Sequence, residues 1–350
     1  MKKVFSRVFI VLMLCLGGLT GCSSNSNKKV LRVYNWGEYV DQSVITAFEK
    51  EFDCRVVYET FYSNEAMYTK LLAGDQYDVL VPSEYMIERL MREDLIQEID
   101  WSKISNEDSL DDFVLNQDFD PENNFWVPYF YGNVGIVYDK TIVDEKDLEA
   151  GWEILINEDY KEQIYMYNSE RDSFMVALKA LGYSMNSEDE VEMEEAYQWL
   201  VEQKNTMNPI YVDDEVIDSM ARGEKALAVV YSGDAVAIMG DNEDMEFFLP
   251  EEGTNLWFDG FVITKDAKEV DLAHEFINFM ISDEMAYKNT TEVGYLTANL
   301  NAARKAAEND FEGISAYSVR TDNDKDEIFT YQIPEIKEAY ATLWVRLKAQ

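Results

Sequence analysis

The chain is 350 residues long, with 69 acidic against 30 basic side chains and a formal charge of −39. An acid excess spread along the chain, rather than blocked into a tail, excludes nucleic acid as a natural partner and suits a cationic solute. The length fits two domains, the apolar fraction of 47% permits a sizeable core, and after residue 22 no apolar run is long enough to span a bilayer.

The chain opens with a basic n-region (Lys2, Lys3, Arg7) and an apolar run from Val8 to Leu19 that is too short for a stop-transfer helix. This run ends at Leu19-Thr20-Gly21-Cys22. Residues 1–21 read as a secretory signal peptide; an ordinary signal with a chance cysteine, or a short membrane anchor, are the other readings. The ending is similar to the bacterial lipobox. That implies lipidation of Cys22 and a lipid anchor holding the protein on the extracytoplasmic face of the cell membrane, in a periplasm or at a cell surface. Residues 22–30 are then a tether. Cys15 leaves with the signal and Cys54 remains alone, so no intrachain disulfide is expected despite export. Cys54 reads as a buried structural thiol.

Strand-like and helix-like runs then alternate. Leu31 to Trp36 alternates as a strand, and Ser43 to Phe52 places Val44, Ile45, Phe48 and Phe52 at helical spacing. Arg55 to Thr60 reads as a second strand and Asn64 to Ala73 as a helix, with Gly74 placed to stop it. Tyr77 to Val81 reads as a third strand, followed by Pro82-Ser83 and a helix through Met91. This is the pattern of an α/β layer with a parallel sheet. Gly135 to Tyr138 is strand-like, and Phe174 to Leu181 and Val191 to Gln203 are helices. Ala226 to Tyr231 is a continuous apolar run, as expected for a strand buried on both faces. Phe261 to Thr264 is another short strand; Leu272, Phe276, Phe279 and Met280 form an amphipathic stripe; Pro334 opens a last helix to Lys348. Two α/β lobes joined by short crossing segments fit this order.

Much catalytic chemistry has no residues to rest on. His274 is the single histidine, in a helix where a solvated or packed role outweighs catalysis. The sequence holds no Gly-x-Ser-x-Gly elbow, no His-Glu-x-x-His and no Gly-rich phosphate loop. The run 322–326 (DNDKD) has the alternating acids of a calcium loop, but Glu327 and Ile333 stand where that loop needs Gly and Glu. It reads as an acidic surface loop.

The informative constellation is aromatic and acidic. Trp36 and Tyr39 follow the first strand and Ser83 and Tyr85 the third, where parallel sheets bind ligands. Tyr231 ends the buried strand. Trp257 and Asp259 are two apart and face one side of an extended segment. Indole and carboxylate facing one way suit a ligand both cationic and aliphatic. Ser83 could equally cap the helix that follows it.

At this point YNWGEYV (34–40), SNEAMYTKLLAG (63–74), YDVLVPSEY (77–85), NLWFDG (255–260) and GYLTANLNAARK (294–305) resemble the bacterial spermidine/putrescine-binding proteins. These are the substrate-capturing subunits of polyamine ABC importers. The resemblance implies an α/β, two-lobed periplasmic-binding-protein fold of type II, with the ligand cleft between the lobes and crossing hinge segments. Lobe 1 would take 31–134 and 258–302, and lobe 2 would take 135–257 and 303–350. The aromatic walls would be Trp36, Tyr39, Tyr85, Tyr231, Trp257 and Tyr295. Asp259 would bind an amine, with polar contacts from Ser83 and Gln332. The family's paired Asp and Glu become Ser169 and Asp172 here, anchored on Arg171, and Tyr231 stands where Trp is common. Glu170 and Asp213 are replacements for the lost acid, Glu170 being otherwise a solvated helix start. The resemblance further implies a monomeric, non-enzymatic protein that passes its polyamine to the permease subunits, with no cofactor and no metal. Binding of another cationic solute such as thiamine, or a surface hydrolase, are the alternatives.

Overall fold

A computed structural model describes residues 28–350. The signal segment, Cys22 and most of the tether lie outside the described residues. β1 (Val30–Trp36) buries Leu31, Val33 and Tyr34 and runs parallel to β2 (Arg55–Phe61), with Val30 opposite Arg55 and Trp36 opposite Phe61. Between them, α1 (Gln42–Glu51) starts where the Asp41 carboxylate accepts the Ser43 N–H, and it buries Val44, Ile45 and Phe48. α2 (Asn64–Leu72) is capped by Ser63 and gives way at Gly74, whose φ of 94° is left-handed. The third strand is shorter than the Tyr77–Val81 run: only Val79–Leu80 (β3) joins the ladder, beside β1. α3 (Glu84–Arg92) and the two-residue β4 (Ile96–Gln97) follow, then short 3-10 turns up to residue 114.

β5 (Val127–Asp139) is the spine of the molecule. Its first half pairs antiparallel with β10 (Leu256–Thr264), from Val127 opposite Phe261 to Asn133 opposite Leu256. From Val134 onward it pairs antiparallel with β8 (Leu227–Tyr231) and β9 (Met245–Phe248). β8 continues in parallel to β6 (Ile164–Tyr167), and β6 to β7 (Ile210–Val212). The strand order is therefore β2-β1-β3-β10-β5-β8-β6-β7, with β5 running through both groups. Helices α4 (Glu170–Ala180), α5 (Glu190–Met207), α6 (Glu215–Ala221) and α7 (Ser232–Asp241) belong to the middle of the chain. α8 (Val270–Met280), α9 (Asp283–Val293), β11 (Leu296–Thr297) and α10 (Leu300–Asn309) follow β10, and α11 (Pro334–Lys348) closes the chain.

Two strands are much longer than their apolar signatures. The run VPYFYGNVGIVYD in β5 does not alternate because both of its faces are covered, and only its Gly135–Tyr138 end reads as a strand. β10 likewise begins five residues before Phe261. The polar-looking 322–326 loop is also only partly a surface feature. Asp326 turns inward to pair with Arg320 at 2.6 Å and to accept the Thr254 N–H. Arg320 donates further to the carbonyls of Leu249 and Pro250, and its own N–H donates to the Asn133 side chain. The Thr254 hydroxyl donates to the Val134 carbonyl. This latch closes on the point where β5 changes partners.

His274 is buried. Its Nε2 accepts the Asp100 N–H and its Nδ1 donates to the Val270 carbonyl, so both nitrogens are spent on packing. Cys54 is buried, free, and one residue before β2. Among the described residues, no helix is long and apolar enough to cross a membrane, and no group of His, Cys, Asp and Glu side chains is placed to hold a metal ion.

Candidate functional site

The ends of the strands bring the aromatic and acidic residues together. β10 is the central wall. Its ladder to β5 shifts register between Asp259 and Gly260, where a Cβ on residue 260 would lie 2.3 Å from the Trp126 ring. Such a bulge re-aims a side chain. Here it sets Asp259 opposite Ser83 in an isolated bridge. Asp259 is 6% exposed, and its Oδ2 accepts the Tyr39 hydroxyl at 2.6 Å. Burial pushes its pKa up to about 6, against the pull of the Ser83 and Tyr39 hydroxyls.

The same device recurs twice. Tyr231, ending β8, donates to Asp172 Oδ2 at 2.7 Å, on the first turn of α4. Tyr295 donates to Asp234 Oδ1 at 2.6 Å, on the first turn of α7. Burial raises both acids, Asp234 to about 7. In each of the three aspartates the second oxygen is buried without a hydrogen-bond partner in the protein: Asp172 Oδ1, Asp234 Oδ2 and Asp259 Oδ1. The tyrosines stay protonated, because burial and the neighbouring carboxylates push their pKa values up.

The rings that donate these bonds also gather close to one another, with Trp257 among them. Trp257 stands edge-on to Tyr231 and Tyr295, at 6.0 and 5.3 Å between ring centres. Tyr39 lies 5.4 Å from Tyr295, and Tyr167 lies 5.0 Å from Tyr231. Residue 233 must be glycine for this packing, since a Cβ there would sit 2.1 Å from the Tyr295 ring. Acceptor oxygens set among π-faces form a chemical match for ammonium groups on a methylene chain.

The remaining expected residues are spread around this centre. Ser83 occupies the N-cap position of α3 without making the capping bond; its hydroxyl accepts from Asn64 instead. Trp36 is half-buried against Phe61. Tyr85 is covered by the Arg171 guanidinium, 3.8 Å from its ring centre, and Arg171 also donates to Gln332. Ser169 caps α4 and bonds the Asp172 N–H. Glu170 is half-buried and raised to about 7 by burial and by Glu65. Asp213 is exposed; its neighbour Asp214 accepts the Tyr167 hydroxyl. Two members of the cluster, Asp234 and Tyr167, carry no mark in the sequence analysis. The available signal for Asp234 was its place in the first turn of α7, three residues beyond the tyrosine that ends a buried strand.

Two strand groups sharing a spine, with buried acids and rings collected at the strand ends, define the class: a two-lobed solute-binding protein of type II. The chain belongs to the family described as bacterial extracellular solute-binding protein, whose model matches residues 43–312. It is 35% identical over 309 residues to the spermidine/putrescine-binding periplasmic protein of Salmonella typhimurium, covering 87% of each chain. Among solved structures it resembles the spermidine/putrescine ABC transporter substrate-binding protein PotD from Streptococcus pneumoniae (TM-score 0.76, 37% identity, 92% of this chain and 99% of that one). It also resembles the TpPotD lipoprotein of Treponema pallidum (TM-score 0.79, 27% identity, 92% and 100% covered).

Proposed function

We propose that the protein captures a polyamine, spermidine or putrescine, outside the cytoplasm and delivers it to the permease subunits of an ABC importer. Three buried aspartates, each with one oxygen held by a tyrosine and the other without a protein partner, carry this reading. A free oxygen in each acid suits one protonated amine, and the rings between them suit the methylenes. Each charge-assisted contact contributes about 1.5–3 kcal/mol. Three of them with three ring–cation contacts of about 0.5–2 kcal/mol each, less several kcal/mol for association and ordering, reach about the micromolar range at the upper end of these values. The same arrangement binds without performing chemistry on the ligand, and the protein acts as a monomer.

The ligand lies between lobe 1 (31–134 and 258–302) and lobe 2 (135–257 and 303–350). The change of partners along β5 at Val134 supports that division. The ligand-binding set is Trp36, Tyr39, Ser83, Tyr85, Asp172, Tyr231, Trp257, Asp259, Tyr295 and Gln332, with Asp234 added from its geometry. Cys22 is the lipid attachment point, supported by the basic and apolar segments ahead of it.

Isothermal titration of the full-length protein with spermidine, putrescine, spermine and thiamine tests the reading. One-to-one saturable binding of a polyamine is expected. Heat only with thiamine, or none from folded protein, sinks it.

A further inference from the structure

Glu84 is a fourth buried acid on the wall that bears Asp259, and the ligand set above does not use it. It is 1% exposed and sits at the start of α3. Its Oε2 accepts the Phe258 N–H at 2.9 Å, while Oε1 is buried without a protein partner. The register explains the contact. β3 and β10 are antiparallel, with Leu80 opposite Val262, and the same register places Ser83 opposite Asp259. One step further, Glu84 falls opposite Phe258. There the chain has already turned into α3, so no strand carbonyl is available. The side chain of Glu84 supplies the acceptor that a continuing strand would have offered. Phe258 lies between Trp257 and Asp259, so this bond holds the stretch of β10 from which both project.

We infer that Glu84 is a positioning residue, which through the Phe258 N–H fixes where Trp257 and Asp259 meet a bound cation. This rests on the polyamine reading for its ligand, not for its geometry. The groups acting on Glu84 are Asp259 from β10, Arg171 from α4, and the Phe258 N–H and its own backbone N–H. Tyr85 is beside it and Glu88 is one turn on, in an ion pair with Arg92. Burial pushes its pKa up to about 8, with Asp259 adding to the rise, so at neutral pH it holds Phe258 as the neutral acid. This wall therefore carries one negative charge at neutral pH rather than two. A cation arriving at Asp259 lowers the proton affinity of Glu84, and binding near that pKa releases its proton.

The test uses Glu84→Gln, which keeps an acceptor for Phe258 but cannot titrate, and Glu84→Leu, which removes the acceptor. Spermidine affinity at neutral pH is expected to stay within about threefold in Glu84→Gln and to fall about tenfold or more in Glu84→Leu. Calorimetry in two buffers of unlike ionisation enthalpy, run at the pH where Glu84 titrates, is expected to show more proton release from the parent than from Glu84→Gln. Hydrogen exchange of the Phe258 amide, measured without ligand, is expected to be slow in the parent and Glu84→Gln and fast in Glu84→Leu. A loss in Glu84→Gln as large as that in Asp259→Asn would make Glu84 a direct ligand contact and overturn the inference. Equal proton release from parent and Glu84→Gln, or slow Phe258 exchange in Glu84→Leu, would also overturn it. A parent that binds no spermidine would overturn the polyamine reading, and the exchange measurement would still decide the role of Glu84. If Glu84→Leu does not fold, Glu84→Gln alone still decides through its affinity and its proton release.

Discussion

Asp259 and Asp172 are both buried and both bonded to a tyrosine, yet they differ in what surrounds them. Arg171 acts on Asp172 and offsets part of its charge, whereas Asp259 is influenced by burial and by the Ser83 and Tyr39 hydroxyls. Asp259 therefore depends more on a cation brought by the ligand. Asp259→Asn is expected to weaken spermidine binding by about 1.5–3 kcal/mol, and Asp172→Asn by less; calorimetry on the two variants checks the order. Equal and negligible losses would remove both from the site. Asp234→Asn should lower affinity for a triamine more than for a diamine, because three acids can each meet one amine only when the ligand has three. The ratio of spermidine to putrescine affinity reads this directly. At this scale Asp259 was legible, since Trp257 and Asp259 alternate on one face of an extended run. Asp234 was not: its place just past a strand-ending tyrosine does not by itself separate a carboxylate of the aromatic cluster from one that favours the helix dipole.

Close approaches between elements decide whether those residues meet. Tyr295 reaches Asp234 only because α7 presents a glycine to its ring. Gly233→Ala would put a methyl into that ring, so Tyr295 must move and release Asp234. Weaker polyamine binding and a lower melting temperature are expected, with overpacking costing about 1–3 kcal/mol. Unchanged affinity by titration would mean the ring finds another path to the acid. Ser169 is an element-scale residue too. As the N-cap of α4 it has a structural duty whatever the ligand, and Asp caps equally well. Ser169→Asp should thus fold normally and alter the ranking of polyamines through an added charge beside Asp172; an unchanged ranking would leave Ser169 as a cap alone. Helices with clear stripes, such as α1, and the proline-started α11 were readable from periodicity and capping. β6, β7, β9, α6, α7, α9 and α10 were not, because short segments packed on several sides lose their period.

Several acids of the whole molecule are pushed up together: Asp259 to about 6, Asp234 and Glu170 to about 7, and Glu84 to about 8. Their ordinary values are 3.8 for Asp and 4.5 for Glu. A carboxyl that holds its proton more tightly when folded stabilises the fold at low pH, and that contribution is lost as pH rises through the folded pKa. The melting temperature of the ligand-free protein is expected to fall between about pH 5 and pH 8, and the rise produced by spermidine to grow over the same interval. A ligand effect that does not change with pH would contradict burial of these acids in the binding site. Closure around the ligand is a second expectation at this scale. Small-angle scattering should give a smaller radius of gyration with spermidine, and an unchanged radius would argue against a hinge. The Arg320–Asp326 latch also sits at the β5 crossing, although its acids read locally as a surface loop.

The α/β class, the order of the first strands and helices, the family resemblance and several rings of the candidate site were written in local patterns: apolar period, caps, and residues at strand ends. These properties depend on neighbours along the chain. The partner exchange within β5, the Tyr–Asp pairs, the covering of Tyr85 by Arg171 and the role of Glu84 opposite Phe258 were decided only in three dimensions. Each joins residues tens to hundreds of positions apart, and burial, which sets the charge state of every acid in the site, is a property of the packed chain rather than of any segment of it.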